Sequence, residues 1–380
     1  MRLFTASLGG CLRARSTSFA RQLAAEEAVQ LSSGDSGAVE GPLQGYHHET
    51  YEIALPGAAG DGESEARRVK CRAPRDHLLW FDRRCFLSEE QLLATLQGLV
   101  SRIPGFVEIG DIRLQRFIEG RTLGAVHGPG RPVPEHVLDQ ILRLFGELIA
   151  VAPGTVRAER RCLAEDRAED RDCAGFLDGL IRFAEERVYE DNLDAFGGLF
   201  AALGVDDESF GRLRKHVLVP GLTRRPFSLL HADLHRENFV LDPVGRLWVI
   251  DWELAMLGDP LYDLATHLHL MGYPAAQEAR VIEGWLAVAE RSAPGSTDGW
   301  RDDLPRLRDF KRAQSVFTDV IRATQVLGDG RALNWGRWFT ESVKVQRVLE
   351  RAAVPLGLDE VPTLTAVARS LRDWHRRHRG

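Results

Sequence analysis

The spacing of apolar residues changes along this chain and divides it into a strand-rich part and a helical part. Between residues 39 and 118 the apolar residues fall in short runs that glycine-containing turns separate, which is typical of a small β-sheet. One amphipathic helix interrupts these strands, because Ser88 begins a capping box and leucines follow it at helical spacing from Leu92. The predicted strands cover residues 50–55, 68–72 and 112–118.

From about residue 134 the apolar residues recur at helical spacing, with one interruption. The interruption is a predicted hairpin, in which residues 239–241 and 247–250 form two strands around the turn at residues 242–245. The helical segments are expected near residues 134–151, 173–204, 206–217, 262–271, 276–291, 303–326, 335–353 and 363–377.

The length of the chain supports a division into lobes. A chain of 380 residues exceeds the size at which one hydrophobic core keeps growing, so about two compact parts are expected. We place a sheet-containing lobe at residues 39–118 and a helical lobe at residues 119–380. Residues 1–38 are expected to form an N-terminal extension with a helix near residues 16–31.

Composition and charge exclude several classes of protein. The formal net charge of −6 argues against a nucleic-acid partner, since such proteins need a basic face to neutralise phosphates. The 5 cysteines are scattered without a Cys-x-x-Cys pair, which fits a reducing cytoplasm better than a disulfide scaffold. No apolar run is long enough for a signal peptide or a membrane span. We therefore expect a cytoplasmic monomer or homodimer with no nucleic-acid or membrane partner.

Residues 231–238 carry the pattern with the strongest chemical meaning. They read His-Ala-Asp-Leu-His-Arg-Glu-Asn and match the template H-R-D-L-x-x-x-N of kinase catalytic loops, with alanine in place of arginine. In kinases the Asp of this loop accepts the proton of the attacking hydroxyl, while the Asn and a second Asp hold magnesium ions. Asp233 and Asn238 occupy the two loop positions, and Asp251 follows two β-branched residues as the second acid.

The predicted hairpin links the two candidate metal ligands. Asn238 lies immediately before its first strand and Asp251 immediately after its second, so their side chains are expected at the same end of the hairpin. Mg²⁺ prefers carboxylate, amide and phosphate oxygens, which these residues and a nucleotide supply. The sequence therefore predicts a magnesium site close to the catalytic loop.

Two other interpretations use the same residues. His231 and His235, completed by His267 and His269, have ligand types that suit the zinc or iron site of a metal-dependent phosphohydrolase. That site would leave the predicted magnesium ligands without a role. The second alternative is a non-catalytic nucleotide-binding protein, which the loss of a catalytic residue would have indicated; all of them are present.

The string HADLHRENFVLDPVGRLWVIDWELAMLGDPLYDLA resembles the signature of the aminoglycoside phosphotransferase and choline kinase-like enzymes, which runs H-G-D-L-H-x-x-N, then I-D-W/F-E, then G-D-P-x-x-D-L-A. The resemblance is close over residues 231–265 and looser over residues 43–120. It implies an α+β, protein-kinase-like fold with a small β-rich, nucleotide-binding N-lobe and a larger, mostly helical C-lobe. It also implies that Asp233 is the catalytic base and that Asn238 and Asp251 bind metal. The residues implied to support the structure of the site are His231, His235, Asp259 and Asp263.

The same resemblance guides the assignment of the phosphate contacts. In this fold the phosphates of the nucleotide contact a cation of the third strand, which pairs with an acid of the helix. Arg72 fits the cation position best, and Lys70 is the alternative on the same face of the strand. Glu89 is the expected helix partner and Glu90 is its alternative.

Other nucleotide contacts are also implied by the family. Gly45 lies in the expected phosphate-binding loop, where His48 stands in place of the family's Asn. Adenine is expected against the backbone of the crossing segment, which includes Arg116 and Ile118, and ATP is expected rather than GTP. Ala232 replaces a glycine of the family, from which we expect the backbone there to avoid a strongly positive φ.

An acidic segment is the main signal for the acceptor. Residues 165–208 contain 14 acids and 4 arginines, and such a surface beside the catalytic base would attract a cationic substrate. Solvated helical faces are the favoured interpretation of this charge, and an attractive binding surface is the alternative. No activation segment follows Asp251, which argues against a protein kinase.

The expected activity is ATP-dependent phosphorylation of a hydroxyl on a small molecule, with Mg²⁺ as the cofactor. The leading expectation is an antibiotic acceptor, either of the aminoglycoside type or another amino- or sugar-containing compound, so that the enzyme confers resistance. The alternative is a metabolic kinase that acts on an amino alcohol, a sugar or a nucleoside-like compound.

Overall fold

The structure is a computed structural model, and its contacts group the chain into two compact units. Unit 1 contains the described residues of Met1–Leu79, Arg102–Thr122 and Val240–Ile250, and unit 2 contains those of Trp80–Ser101, Leu123–Phe239 and Asp251–Gly380. The described residues are 26, 28–32, 35–43, 48–55, 67–74, 79–109, 112–162, 164–328 and 332–379.

Unit 1 is built on a five-stranded antiparallel sheet with the order β1-β2-β3-β5-β4. The predicted strands are therefore confirmed, and β1 and β4 are added to them. The predicted helix near residues 16–31 lies mostly outside the described residues, although residues 28–31 are helical. The strands are β1 (Val39–Leu43), β2 (His48–Leu55), β3 (Arg67–Pro74), β4 (Phe106–Ile109) and β5 (Ile112–Arg116).

The two faces of this sheet differ in polarity. One face forms a buried apolar core that includes Ile53 and Val69, which are paired across β2 and β3. Because side chains alternate along a strand, Lys70 and Arg72 lie on the other face. That face also carries buried polar residues, namely Thr50, Glu52 and Gln115.

The predicted hairpin is confirmed in a second, three-stranded sheet with the order β6-β8-β9. Its strands are β6 (Arg121–Thr122), β8 (Phe239–Leu241) and β9 (Leu247–Val249). Asp242 fixes the turn, because its carboxylate accepts the backbone N–H of Val244 and of Arg246 at 3.1 and 2.8 Å. Gly245 supplies the positive φ of 79° that completes the turn.

Unit 2 is mostly helical, and most of the helical segments expected from the sequence are confirmed. The segment expected at residues 173–204 is interrupted, since a π-helical turn at Ala184–Tyr189 separates two helices. The helices are α1 (Glu89–Leu96), α2 (Leu123–Val126), α3 (Glu135–Ala150), α4 (Cys173–Phe183), α5 (Leu193–Ala202), α6 (Ser209–Val217), α7 (Pro260–Met271), α8 (Ala275–Ser292), α9 (Trp300–Gln325), α10 (Trp335–Leu356) and α11 (Leu364–Arg379).

A short pair of strands positions residues 231–238 and the start of helix α7 in unit 2. β7 (Ser228–Leu230) pairs antiparallel with β10 (Met256–Gly258), and the two strands lead directly into the catalytic-loop sequence and into helix α7. Gly258 must be small, because a Cβ at this position would collide with the ring of Phe176. The predicted N-cap at the start of α1 is confirmed, since the backbone N–H of Gln91 donates to Ser88 Oγ at 3.2 Å, whereas the reciprocal bond of a full capping box is not formed between these two described residues.

Within the described part of the chain, no helix is long and apolar enough to cross a membrane.

Candidate active site

The loop after β7 is fixed by one buried carboxylate on helix α7. Asp263 accepts the backbone N–H of His231 at 3.1 Å and that of Ala232 at 2.8 Å. Ala232 has a φ of 62°, so the expectation that its backbone avoids a strongly positive φ was wrong. The left-handed conformation costs about 1–2 kcal/mol for a residue with a Cβ, and the hydrogen bonds to Asp263 offset that cost.

Asp233 is held by two side chains of its own loop. Asn238 Nδ2 donates to Asp233 Oδ2 at 3.0 Å and to the Asp233 carbonyl oxygen at 2.9 Å. His235 Nε2 lies 3.3 Å from the same Oδ2 atom. Asp233 Oδ1 accepts no hydrogen bond from the described residues and is therefore available to an incoming hydroxyl.

The charges around this loop favour an ionised Asp233. Burial raises its pKa, but the hydrogen bond and charge of His235, together with the charges of His231 and Lys311, outweigh that effect and hold the pKa below its usual value. Burial likewise lowers the pKa of His235, whereas Asp233 raises it above its usual value, with a further contribution from Asp251. The carboxylate is thus an acceptor of protons at neutral pH.

Asp251 follows β9, and its charge raises the pKa of His235 in the loop after β7. Its φ of 64° turns the chain sharply after the hairpin. The next residue, Trp252, is buried and packs against the His231 ring with a centroid distance of 4.7 Å. β8 begins directly after Asn238, so the hairpin links this amide to Asp251 as the sequence predicted.

The carboxylates of Glu89, Asp251 and Glu253 lie close together. Oxygens of Glu89, Asp251 and Glu253 all lie within 4.8 Å of one another, and Glu89 and Glu253 are buried. The backbone N–H of Trp252 donates to Glu89 Oε1 at 3.3 Å and holds helix α1 against this segment. Buried carboxylates at this separation repel one another unless a cation or protons neutralise them, and the oxygens are the ligand type that Mg²⁺ prefers.

A buried lysine on helix α9 adds a cation to the same region. Lys311 Nζ donates to Gln314 Oε1 at 2.6 Å and lies 4.0 Å from Asp82 Oδ1. Burial lowers the pKa of Lys311, but Tyr262 and Asp82 raise it above its usual value, with a smaller contribution from Asp233. The charge of Lys311 also lowers the pKa of Asp233. Lys311 is therefore charged and electrostatically coupled to the catalytic loop.

Asp259 lies in a buried ion-pair network. Its carboxylate accepts two hydrogen bonds from Arg225, at 2.8 and 2.6 Å, and caps helix α7 through the backbone N–H of Leu261 at 3.0 Å. Arg225 also donates to Asp303 at 2.6 Å. This is the geometry of a residue that fixes the start of α7, which carries Asp263.

The histidines of the alternative metal site have other partners. His267 Nδ1 donates to the Leu234 carbonyl at 2.9 Å, and burial lowers the pKa of His267 to about 4. His269 contacts Ser315 Oγ at 2.9 Å. Across the residues with described positions, no set of three metal-ligating side chains contains a histidine.

The expected nucleotide contacts lie in unit 1. Lys70 and Arg72 share the polar face of β3, and both are half-buried. Arg116 ends β5 with its side chain exposed, and Ile118 is half-buried two residues later. Gly45 lies outside the described residues. The roles of these residues stay predictions.

The acidic segment is partly neutralised by arginines. Arg214, for example, pairs with both Asp178 and Glu185. These ion pairs weaken the case for a strongly attractive acidic surface. The further paired acids of residues 165–208 are Asp166, Asp170, Asp191, Asp206 and Glu208.

Sequence reasoning missed Glu253 and Lys311. Glu253 stands two positions after Asp251 in the string that carries the resemblance, and this spacing was a usable signal. Lys311 is one of few lysines in the chain, but it lies 78 positions after Asp233, and its burial is visible only in the fold.

Comparison with known proteins identifies the family. Residues 68–304 match the model of the phosphotransferase enzyme family, which is more than half of the chain. A search of curated proteins found no match.

Several solved structures have a similar fold. Plasmodium vivax ethanolamine kinase superposes with a TM-score of 0.53 at 9% identity, and the match covers 93% of this chain and 95% of that chain. A macrolide 2'-phosphotransferase from Brachybacterium faecium gives a TM-score of 0.47 at 14% identity, with coverages of 90% and 98%. A choline/ethanolamine kinase family protein from Mesorhizobium loti gives 0.46 at 16% identity, with coverages of 92% and 98%.

The family match, the superposition on the ethanolamine kinase and the observed strands and helices confirm the predicted fold class, a protein-kinase-like α+β fold with a small sheet-containing part and a largely helical part. The predicted enzyme class is confirmed by the family match. The chain belongs to the phosphotransferase enzyme family.

Proposed function

We propose that this chain is an ATP-dependent phosphotransferase that transfers the γ-phosphoryl group of ATP to a hydroxyl of a small molecule. Membership of the phosphotransferase family supports the reaction class. The observation that carries the proposal is the arrangement around Asp233, whose carboxylate is held by Asn238 and His235 and keeps one oxygen available.

Asp233 acts as the base in this proposal. Its Oδ1 atom accepts a hydrogen bond from the acceptor hydroxyl and takes the proton as the hydroxyl oxygen bonds to the γ-phosphorus. The bond between that phosphorus and the bridging oxygen breaks, and ADP leaves. Asn238 and His235 keep the carboxylate oriented, which lowers the entropy cost of the aligned geometry.

The proposed magnesium site uses four side chains. The donor set fits the ion, because Glu89, Asp251 and Glu253 bring three carboxylates together and Asn238 adds an amide oxygen. The amide nitrogen of Asn238 is committed to Asp233, so its oxygen remains for a metal. When bound, magnesium would neutralise charge on the nucleotide phosphates.

Further nucleotide contacts are proposed for residues of unit 1. Arg72, or Lys70 on the same face of β3, supplies the cation for the phosphates. The backbone of Arg116 and Ile118 supplies adenine contacts. The pairing of Glu89 with a strand cation stays a prediction, and ATP is proposed as the nucleotide.

The proposal also names a chemical class for the acceptor molecule. We propose an antibiotic with amino or sugar groups as the leading acceptor class, and an amino alcohol, sugar or nucleoside-like metabolite as the alternative. The similar fold of an ethanolamine kinase is compatible with the alternative. Among the ion pairs of the described residues, only Arg212 and Arg214 add cations from outside residues 165–208, so the segment keeps an excess of acids, and a direct screen must decide the acceptor class.

The test is an acceptor screen that measures ADP release with magnesium and ATP. The panel contains an aminoglycoside, a macrolide, choline, ethanolamine, a ribonucleoside and a hexose. We expect one chemical class to raise ADP release at least about tenfold over the rate without acceptor, and the product to gain one phosphoryl group by mass. Stimulation by an antibiotic supports the leading class, and stimulation by a metabolite alone supports the alternative. No stimulation by any hydroxylated compound would contradict the proposal.

A further inference from the structure

A cavity outside the catalytic loop is lined by an excess of cations. It has a volume of about 610 Å³ and lies between helices α7, α9 and α10. This volume is within the range of small-molecule sites, roughly 300–1,000 Å³. Its charged lining residues are Arg312, Asp319, Lys344, Arg347 and Arg351.

Two of these cations have no ion-pair partner among the residues that the structure describes. Lys344 pairs with Asp319 at 2.9 Å, and Arg312 pairs with Asp309 at 2.6 Å. Arg347 and Arg351 make no ion pair or side-chain hydrogen bond with any residue that the structure describes. They are four positions apart on α10, so their like charges lie on one face and repel each other. An anion between them would remove that repulsion.

The polar floor of the cavity adds to the positive environment. His269 contacts Ser315 Oγ at 2.9 Å, and Ser315 in turn donates to the Lys311 carbonyl at 2.9 Å. Burial lowers the pKa of His269 to about 3, and Lys311, Arg351 and Arg312 contribute to that shift. The neutral imidazole of His269 adds no charge, and the nearby cations make the electrostatic potential at its position positive.

The cavity also offers an apolar surface. Phe339 lines it and is 58% exposed, and Val343 and Val348 line it further along the same helix. A large exposed aromatic side chain beside unpaired guanidinium groups is suited to a ligand with both an apolar and an anionic part.

We propose that the cavity between α7, α9 and α10 is a binding site for a small organic anion with an apolar part, whose carboxylate, phosphate or sulfonate group is held by Arg347 and Arg351. This class of ligand is opposite in charge to the polycation that the acidic segment suggested. The site is separate from the residues assigned to Asp233 and the metal cluster, so the proposal does not rest on the proposed reaction.

The test uses the fluorescent anion 8-anilinonaphthalene-1-sulfonate, with the uncharged N-phenyl-1-naphthylamine as its apolar control. Binding to the full chain is titrated without nucleotide. We expect saturable binding of the anion, and at least about a tenfold rise in Kd in the Arg347→Gln/Arg351→Gln variant. The Kd of the uncharged probe should change less than about twofold, because the apolar surface is retained.

A matched variant controls for net charge. Arg337→Gln/Arg376→Gln removes two exposed arginines outside the cavity, and its Kd for the anion should stay within about twofold of the original chain. Asp233→Asn should also bind the probe normally, which separates this proposal from the catalytic one. Equal losses in the two double variants, or no saturable binding up to about 1 mM, would overturn the proposal.

Discussion

Replacement of Arg225 by methionine should destabilise the protein strongly. Arg225 is fully buried, and Asp259 and Asp303 are 0% and 1% exposed. The guanidinium group donates two hydrogen bonds to Asp259, one to Asp303 at 2.6 Å and one to the Asp298 carbonyl at 2.7 Å. Methionine keeps much of the volume but removes all of these donors.

The expected magnitude follows from what remains after the substitution. Asp259 would lose the guanidinium group that pairs with it, and Asp303 would keep only Arg306, whose Nη1 atom lies 3.3 Å from Asp303 Oδ1. Removal of one partner of a buried ion pair costs about 3–5 kcal/mol. The stability of a folded protein is about 5–15 kcal/mol, so this loss is a large share of it. A triple variant that also carries Asp259→Asn and Asp303→Asn removes the stranded charges and should recover part of the loss.

An exposed ion pair provides the control. Arg280 lies 2.7 Å from Glu135, almost the distance of Arg225 to Asp259, but the two side chains are 55% and 62% exposed. Arg280→Met should therefore cost less than about 1 kcal/mol. Urea unfolding measures both variants at an unchanged m value. A cost below about 1 kcal/mol for Arg225→Met, or equal costs at the two sites, would refute the reasoning from burial.

Three further predictions concern the chemistry of single residues. His235→Asn removes the cation and hydrogen bond that lower the pKa of Asp233, so the acid limb of the pH profile of kcat/KM should move to higher pH; an unchanged limb would contradict this. Glu253→Gln should raise the magnesium concentration for half-maximal activity roughly tenfold, and an unchanged requirement would remove Glu253 from the metal site. A hydrogen bond with a neighbouring thiol lowers the pKa of Cys162 to about 6, while burial raises that of Cys173 to about 12. Iodoacetamide at pH 7 should therefore label Cys162 before Cys173, as peptide mass spectrometry would show.

The features that the sequence predicted well are local. The N-cap at Ser88 and the hairpin around Asp242 each depend on residues within about ten positions of each other. The residue patterns that predict them are therefore visible in the sequence. The catalytic loop is similarly local, since Asp233 and Asn238 are only five positions apart and contact each other in the fold. Their spacing in the sequence therefore predicted that the two side chains lie close together.

The features that the sequence did not predict depend on distant contacts. The positive φ of Ala232 is held by Asp263, which lies 31 positions away. The burial of Lys311 and its approach to Asp82 join residues far apart in the chain. The sequence also contained no indication that the Glu89 carboxylate approaches Asp251 and Glu253, because an acid in the first turn of a helix is already explained by its favourable interaction with the helix dipole.

The central claim is that Asp233 is the catalytic base, and the turnover of Asp233→Asn tests it most directly. With an acceptor from the screen, kcat should fall by at least about 100-fold, while the Kd for ATP stays within about threefold. Asp302→Asn, a change at an exposed acid at the start of α9, should leave kcat unchanged. A kcat for Asp233→Asn within about tenfold of the original chain would contradict the account.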